Sequence, residues 1–156
     1  MSQEENCFLC RQKAIRKDND YGNKFIYTCQ NCGEYVLTAS LEQALRSDPP
    51  KAFRLACVLR DRKIRGLKHS LNIVREAQNA SVTMADEAQQ QVSLEEVLSS
   101  FPEPAEIIDR AVLNLSLLAT HPMDTIEPET ASLPFLLFCP LSRMWTAYWT
   151  TCTRWT

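Results

Sequence analysis

The spacing Cys7-Phe8-Leu9-Cys10, then Cys29-Gln30-Asn31-Cys32-Gly33 eighteen residues further on, constrains this chain more than any other feature. Two Cys-x-x-Cys turns so separated form the pattern of a single zinc site built from four thiolates. Each turn aims two sulfurs at one point, and two turns complete a tetrahedron with Zn–S distances of about 2.3 Å. Four thiolates leave no coordination position for water, so the one Zn2+ expected on Cys7, Cys10, Cys29 and Cys32 is structural rather than catalytic. Gly33 supplies the positive φ that a tight knuckle favours. Residues 25–28 and 34–38 are rich in aromatic and β-branched side chains, and they read as a hairpin wrapped around Cys29 and Cys32. The resulting ribbon, residues 1–39, is too small to hold itself by hydrophobic burial, so stabilising it is the task of the metal.

Two disulfides would require an oxidising compartment, and the opening Met-Ser-Gln-Glu-Glu-Asn has neither the basic nor the apolar region of a secretory signal. The seven cysteines therefore point to a reducing cytoplasm and a metal. A thioredoxin-like redox pair would need a βαβ context around one of the motifs, and neither has it. The length of 156 residues fits one ordinary domain or two small modules, and the net charge of −2 favours neither nucleic acid nor acidic ligands. With only three glycines, the chain has no phosphate-cradling loop and no dinucleotide fingerprint.

Beyond the ribbon the patterns are helical. Residues 11–24 read as a polar, mostly basic connection. Ser40-Leu41-Glu42-Gln43 is a capping box that starts a short helix, and Asp48-Pro49-Pro50 breaks it and restarts the next. The second helix, about 49–65, has Phe53, Ala56, Leu59 and Ile64 at helical spacing and a basic opposite face. From Arg46 to Lys68 there are eight positive residues against Asp48 and Asp61. Arg11, Arg54, Arg60, Arg62, Lys63 and Arg65 are thereby candidates for phosphate contacts, which would bind nucleic acid without reading its sequence. The competing reading is a solvated helix face. Seven acids with no base lie between Asp86 and Asp109, and they could neutralise the basic region within the chain.

Residues 69–92 are polar and read as a linker or loose helix. Ser93-Leu94-Glu95-Glu96 caps a short helix, and within 93–122 the best helix runs from Pro104 to about Thr120. Its stripe of Ile107, Ile108, Ala111, Val112, Leu115, Leu118 and Ala119 reads as core, with Glu106–Arg110 paired at i,i+4. His69 and His121 lie alone, so neither is assigned to metal or to acid–base work, and no catalytic constellation stands out. Cys57, between Ala56 and Val58, reads as a buried inert thiol. The last stretch, 123–156, breaks in composition. Its final 26 residues lack any acid and hold all three tryptophans. A membrane tail, an exposed partner-binding strip and sequence out of register with the preceding domain all compete there. The apolar run is proline-broken and too short for a span, and the last reading is favoured because the composition breaks sharply and no polar pattern matches the run to a helix or strand.

The first ~120 residues resemble a loosely defined group of uncharacterised bacterial proteins. The resemblance rests on Cys7, Cys10, Cys29, Cys32, Gly33, Tyr35 and Thr38, and on Arg54-Leu55-Ala56 with Leu59-Arg60. It implies a zinc ribbon serving as an accessory module, and it implies no activity. The fold expected is α+β and mostly α, a small four-Cys ribbon followed by a helical pair over 40–68 and further helices. The expected function is a zinc-binding accessory or regulatory module, without enzymatic activity, contacting nucleic acid through the basic helix. The alternative is a protein-interaction adaptor using the apolar helix 105–119, and membrane association is not expected.

Overall fold

The computed structural model describes residues 2–67, 70–75, 89–119 and 133–139. Six strands form one mixed sheet in the order β1-β2-β3-β4-β5-β6. They are Ser2–Asn6, Lys13–Asn19, Lys24–Cys29, Gly33–Thr38, Ser70–Val74 and Gln89–Ser93. The first four pair antiparallel, as successive hairpins. β5 then adds parallel to β4, and β6 parallel to β5. Parallel neighbours need a long crossover, and helices α1 (Ala39–Arg46) and α2 (Pro49–Ile64) lie in the first of them.

This sheet corrects the expectation of a mostly helical chain with strands confined to a small ribbon. The polar connection over 11–24 contains β2, and the segment read as linker or loose helix contributes β5 and β6. Physically, β5 is legible only in two alternating residues, Leu71 and Ile73, both buried, and β6 in the single buried Val92. Five-residue strands of that kind are fixed by the neighbours they pair with, not by their own propensity.

One face of the sheet carries the core. Tyr27, Tyr35, Leu37, Leu71, Ile73 and Val92 join Leu41 and Leu45 of α1, Leu55 and Leu59 of α2, and Leu94, Val97 and Leu98 of α3 (Leu94–Ser99). The middle of α2 is buried on every side, since the five consecutive residues from Leu55 to Leu59 are each at most 3% exposed. A helix apolar all round belongs inside, and α2 touches α1, α3, β4, α4 (Ile107–Leu118) and α5 (Leu133–Leu136). The basic residues are therefore pushed to its two ends.

Local signals fix several boundaries. Asp48 caps α2 by accepting the Lys51 amide, and Ser93 caps α3 by accepting that of Glu96. For α1 the cap is Thr38 rather than Ser40. Thr38 closes β4 in an extended conformation, and its hydroxyl accepts the Leu41 amide. The expected core stripe of the long helix is only partly inside. Ala111 and Asn114 are buried on α4, whereas Ile108 is 74% and Val112 60% exposed. Arg110 pairs with Asp61 of α2 at 3.6 Å.

Part of the tail belongs to the core. Phe135 packs on Phe53 and Phe138 edge-on to Phe101, which gives the proline-containing run 133–139 a place beside α2. Residues 140–156, with the tryptophans, lie outside the described residues, as do His69 and His121. Truncating Ile73 to Ala should cost about 2–5 kcal/mol if β5 is a core strand. Urea unfolding of the full chain checks this, since a residue in a solvated linker would change the midpoint little.

Candidate metal centre

Both Cys-x-x-Cys motifs sit at hairpin turns, and the sheet register brings the turns together. Cys7 opens the turn that follows β1, where its amide donates to the Gln12 carbonyl and its carbonyl accepts from the Arg11 amide. Arg11 adopts φ 63° to close that turn. Cys29 is the last residue of β3, and Gly33, with φ +83°, starts β4. Ala14 lies opposite Cys29 in the β2–β3 register, which sets the first knuckle beside the second.

The four Sγ atoms of Cys7, Cys10, Cys29 and Cys32 all lie within 4.8 Å of one another, and all four residues are buried. A tetrahedron with arms of about 2.3 Å has edges of about 3.8 Å, so a slight closure seats an ion. Cys10 and Cys29 are already 3.4 Å apart. An all-thiolate tetrahedral set is soft and suits zinc or iron rather than magnesium or calcium. These residues could hold a metal ion, and the donor set fits the expected group.

The sulfurs are embedded in donors. Amides of Asn31 and Cys32 donate to Cys29 Sγ at 3.3 and 3.4 Å. Its side-chain hydrogen bonds with Cys10, then Cys32 and Cys7, together with the Cys32 amide, hold Cys29 well below the ordinary thiol range. Cys10 and Cys32 are pushed up by the same sharing of protons and by burial. Tyr35 Oη lies 3.1 Å from Cys7 Sγ. Burial, then the neighbouring sulfur charge, pushes the Tyr35 phenol up, so it remains a proton donor to a thiolate.

Behind the first knuckle, the Tyr35 ring stacks on Tyr27 at 5.1 Å, and Tyr27 meets Phe8 at 5.7 Å. The Tyr27 hydroxyl donates to Glu42 Oε2 at 2.9 Å, while Arg46 Nε donates to Glu42 Oε1. The buried carboxylate of Glu42 is thereby paired, and α1 is tied to the knuckle. Among these supporting residues only Tyr35 carried a signal in the sequence, as part of the Cys-Gly-x-Tyr run. Tyr27 and Glu42 are fifteen positions apart and meet only through the fold.

The six candidate phosphate-binding cations do not form one open patch. Arg60 donates to the Asn31 carbonyl at 3.3 Å, and Lys63 Nζ donates to the Gln30 carbonyl, both in the second knuckle. Arg65 pairs with Asp61 at 3.1 Å. Arg54 lies over the Phe101 ring at 4.9 Å. Arg11 is exposed beside the first knuckle, and Arg62 is partly exposed near the end of α2. Among the described residues, Lys51 of the basic region pairs with Glu95 of the acidic one at 3.2 Å.

No family model, curated protein or solved structure matches the chain. Among the described residues no helix is long and apolar enough to cross a membrane. Replacing any one of the four clustered cysteines by Ser should abolish stoichiometric metal retention through gel filtration, whereas Cys57→Ala should retain it. Cys57 is buried between helices and its thiol is pushed well up by burial. In the native protein it should resist alkylation at neutral pH and react only on unfolding, as read by mass spectrometry.

Proposed function

We propose that the protein is a zinc-stabilised binding module, with one structural Zn2+ on Cys7, Cys10, Cys29 and Cys32. The single observation that carries this is the convergence of four buried sulfurs within 4.8 Å. Four sulfur ligands fill a tetrahedral ion, so no position is left to activate water or bind a substrate. The zinc fixes the β1–β2 and β3–β4 turns, and through them the sheet on which the helices pack. The resemblance to accessory zinc ribbons of uncharacterised bacterial proteins agrees with this role and is part of the same proposal.

Between the two kinds of partner, the contacts of the basic residues favour a protein. Arg54, Arg60, Lys63 and Arg65 are each engaged with a ring, a backbone carbonyl or a carboxylate of the chain itself. By contrast α4 leaves Ile108, Val112, Leu113 and Leu117 more than two-fifths exposed. Exposed apolar rows of this kind mark protein contacts. The module is therefore an interaction adaptor rather than a nucleic-acid binder.

Metal analysis of the full chain should find one zinc per molecule, and a chelator should remove it together with the ribbon's structure, read by circular dichroism. Titration with mixed-sequence DNA and RNA at rising salt should show no steep salt-dependent binding. A strongly negative slope of log affinity against log salt would instead assign the basic residues to phosphates. Zinc that leaves without loss of structure would remove the structural role.

A further inference from the structure

We infer that Arg60 and Lys63 of α2 are positioning residues of the metal centre, acting through two peptide groups aimed at the Cys29 sulfur. The inference rests on the metal-site reading above and adds to it a role for the basic helix.

Of the three peptide units from Cys29 to Cys32, two turn their N–H toward the Cys29 sulfur, first Gln30–Asn31 and then Asn31–Cys32. In a planar trans peptide the carbonyl and the N–H point in opposite directions. Here both N–H groups point inward. The Asn31 amide donates to Cys29 Sγ at 3.3 Å and the Cys32 amide at 3.4 Å. The carbonyl of the first unit belongs to Gln30 and accepts from Lys63; that of the second belongs to Asn31 and accepts from Arg60. Each peptide therefore stands between a cation at its oxygen and a sulfur at its N–H.

Helix geometry makes the arrangement economical, because positions 60 and 63 are neighbours at i,i+3 on one face. The Lys63 stem also crosses the knuckle, its Cδ lying 3.6 Å from where a Cβ on Gly33 would stand. A cation on the carbonyl polarises the peptide, and hydrogen bonds in such a chain strengthen one another. The inward N–H groups become better donors to a thiolate that also binds metal. Four thiolates around Zn2+ carry a net charge of −2 by formal count, and two cations one peptide away offset part of it. The outer partners of metal ligands are worth roughly 10–100-fold in affinity.

The experiment compares wild type, K63M, the double variant R60M/K63M, K63R and the control K51M, whose lysine pairs with Glu95 away from the knuckle. Lys63 is exposed, so K63M removes little packing. Zinc affinity is read by competition with a chromophoric chelator. Amide hydrogen exchange at Asn31 and Cys32 is read by NMR on the zinc-loaded protein. Affinity in R60M/K63M should fall about 10–100-fold. Exchange at the Asn31 amide should quicken in K63M already and at both amides in R60M/K63M, while K63R and K51M stay near wild type. A wild type that binds no zinc would overturn the metal reading itself. A wild type that binds zinc, with K63M and the double variant matching it in affinity and in exchange at both amides, would overturn this inference alone.

Discussion

Four buried sulfurs within 4.8 Å of one another are the constraint from which the rest of the structure follows. Thiols so crowded cannot all ionise in the absence of a cation, because each thiolate raises the energy of the next. The protein meets this with N–H groups at Cys29 and a phenol at Cys7. Those donors are supplied by backbone and by a stacked tyrosine pair, so the geometry of the site and that of the sheet are one problem. Two hairpin turns must be adjacent, and β2 and β3 must pair in the register that puts Ala14 opposite Cys29.

Around that point each knuckle is gripped by a different helix. The first is tied to α1 through Phe8, Tyr27, Glu42 and Arg46. The second is tied to α2 through Arg60 and Lys63. Because α2 is also the central packing element, the geometry of the four cysteines is coupled to the packing of the core. That coupling is what the proposed structural zinc would reinforce in a chain whose sheet begins with a charged edge strand, with Glu4 and Glu5 on β1. It leaves α4 at the periphery, with Ile108 and Val112 exposed, where the proposed partner would bind.

The cysteine spacing, the β3–β4 hairpin and the caps of α2 and α3 were legible because each depends on a few adjacent residues. The sheet was not. β2 lies in a run of charged residues, β5 has two buried apolar positions and β6 one, and all three are set by pairing rather than by pattern. The basic residues of α2 were legible as a charge cluster but not as partners of the knuckle. Arg60 and Asn31 are 29 positions apart, and their contact depends on how α2 crosses the sheet. In the same way the α4 stripe had helical periodicity, yet periodicity does not say which of two apolar faces the core will cover. Ala111 turned inward and Ile108 outward.

The central claim is a closed, all-sulfur metal site, and X-ray absorption at the zinc edge of the zinc-loaded full chain tests it most directly. A single first shell of four sulfurs at about 2.3 Å is expected. A shell containing nitrogen or oxygen at about 2.0–2.2 Å would mean that one of the four cysteines is not a ligand and that the site has an open position. That result would contradict the structural role and return the centre to chemistry.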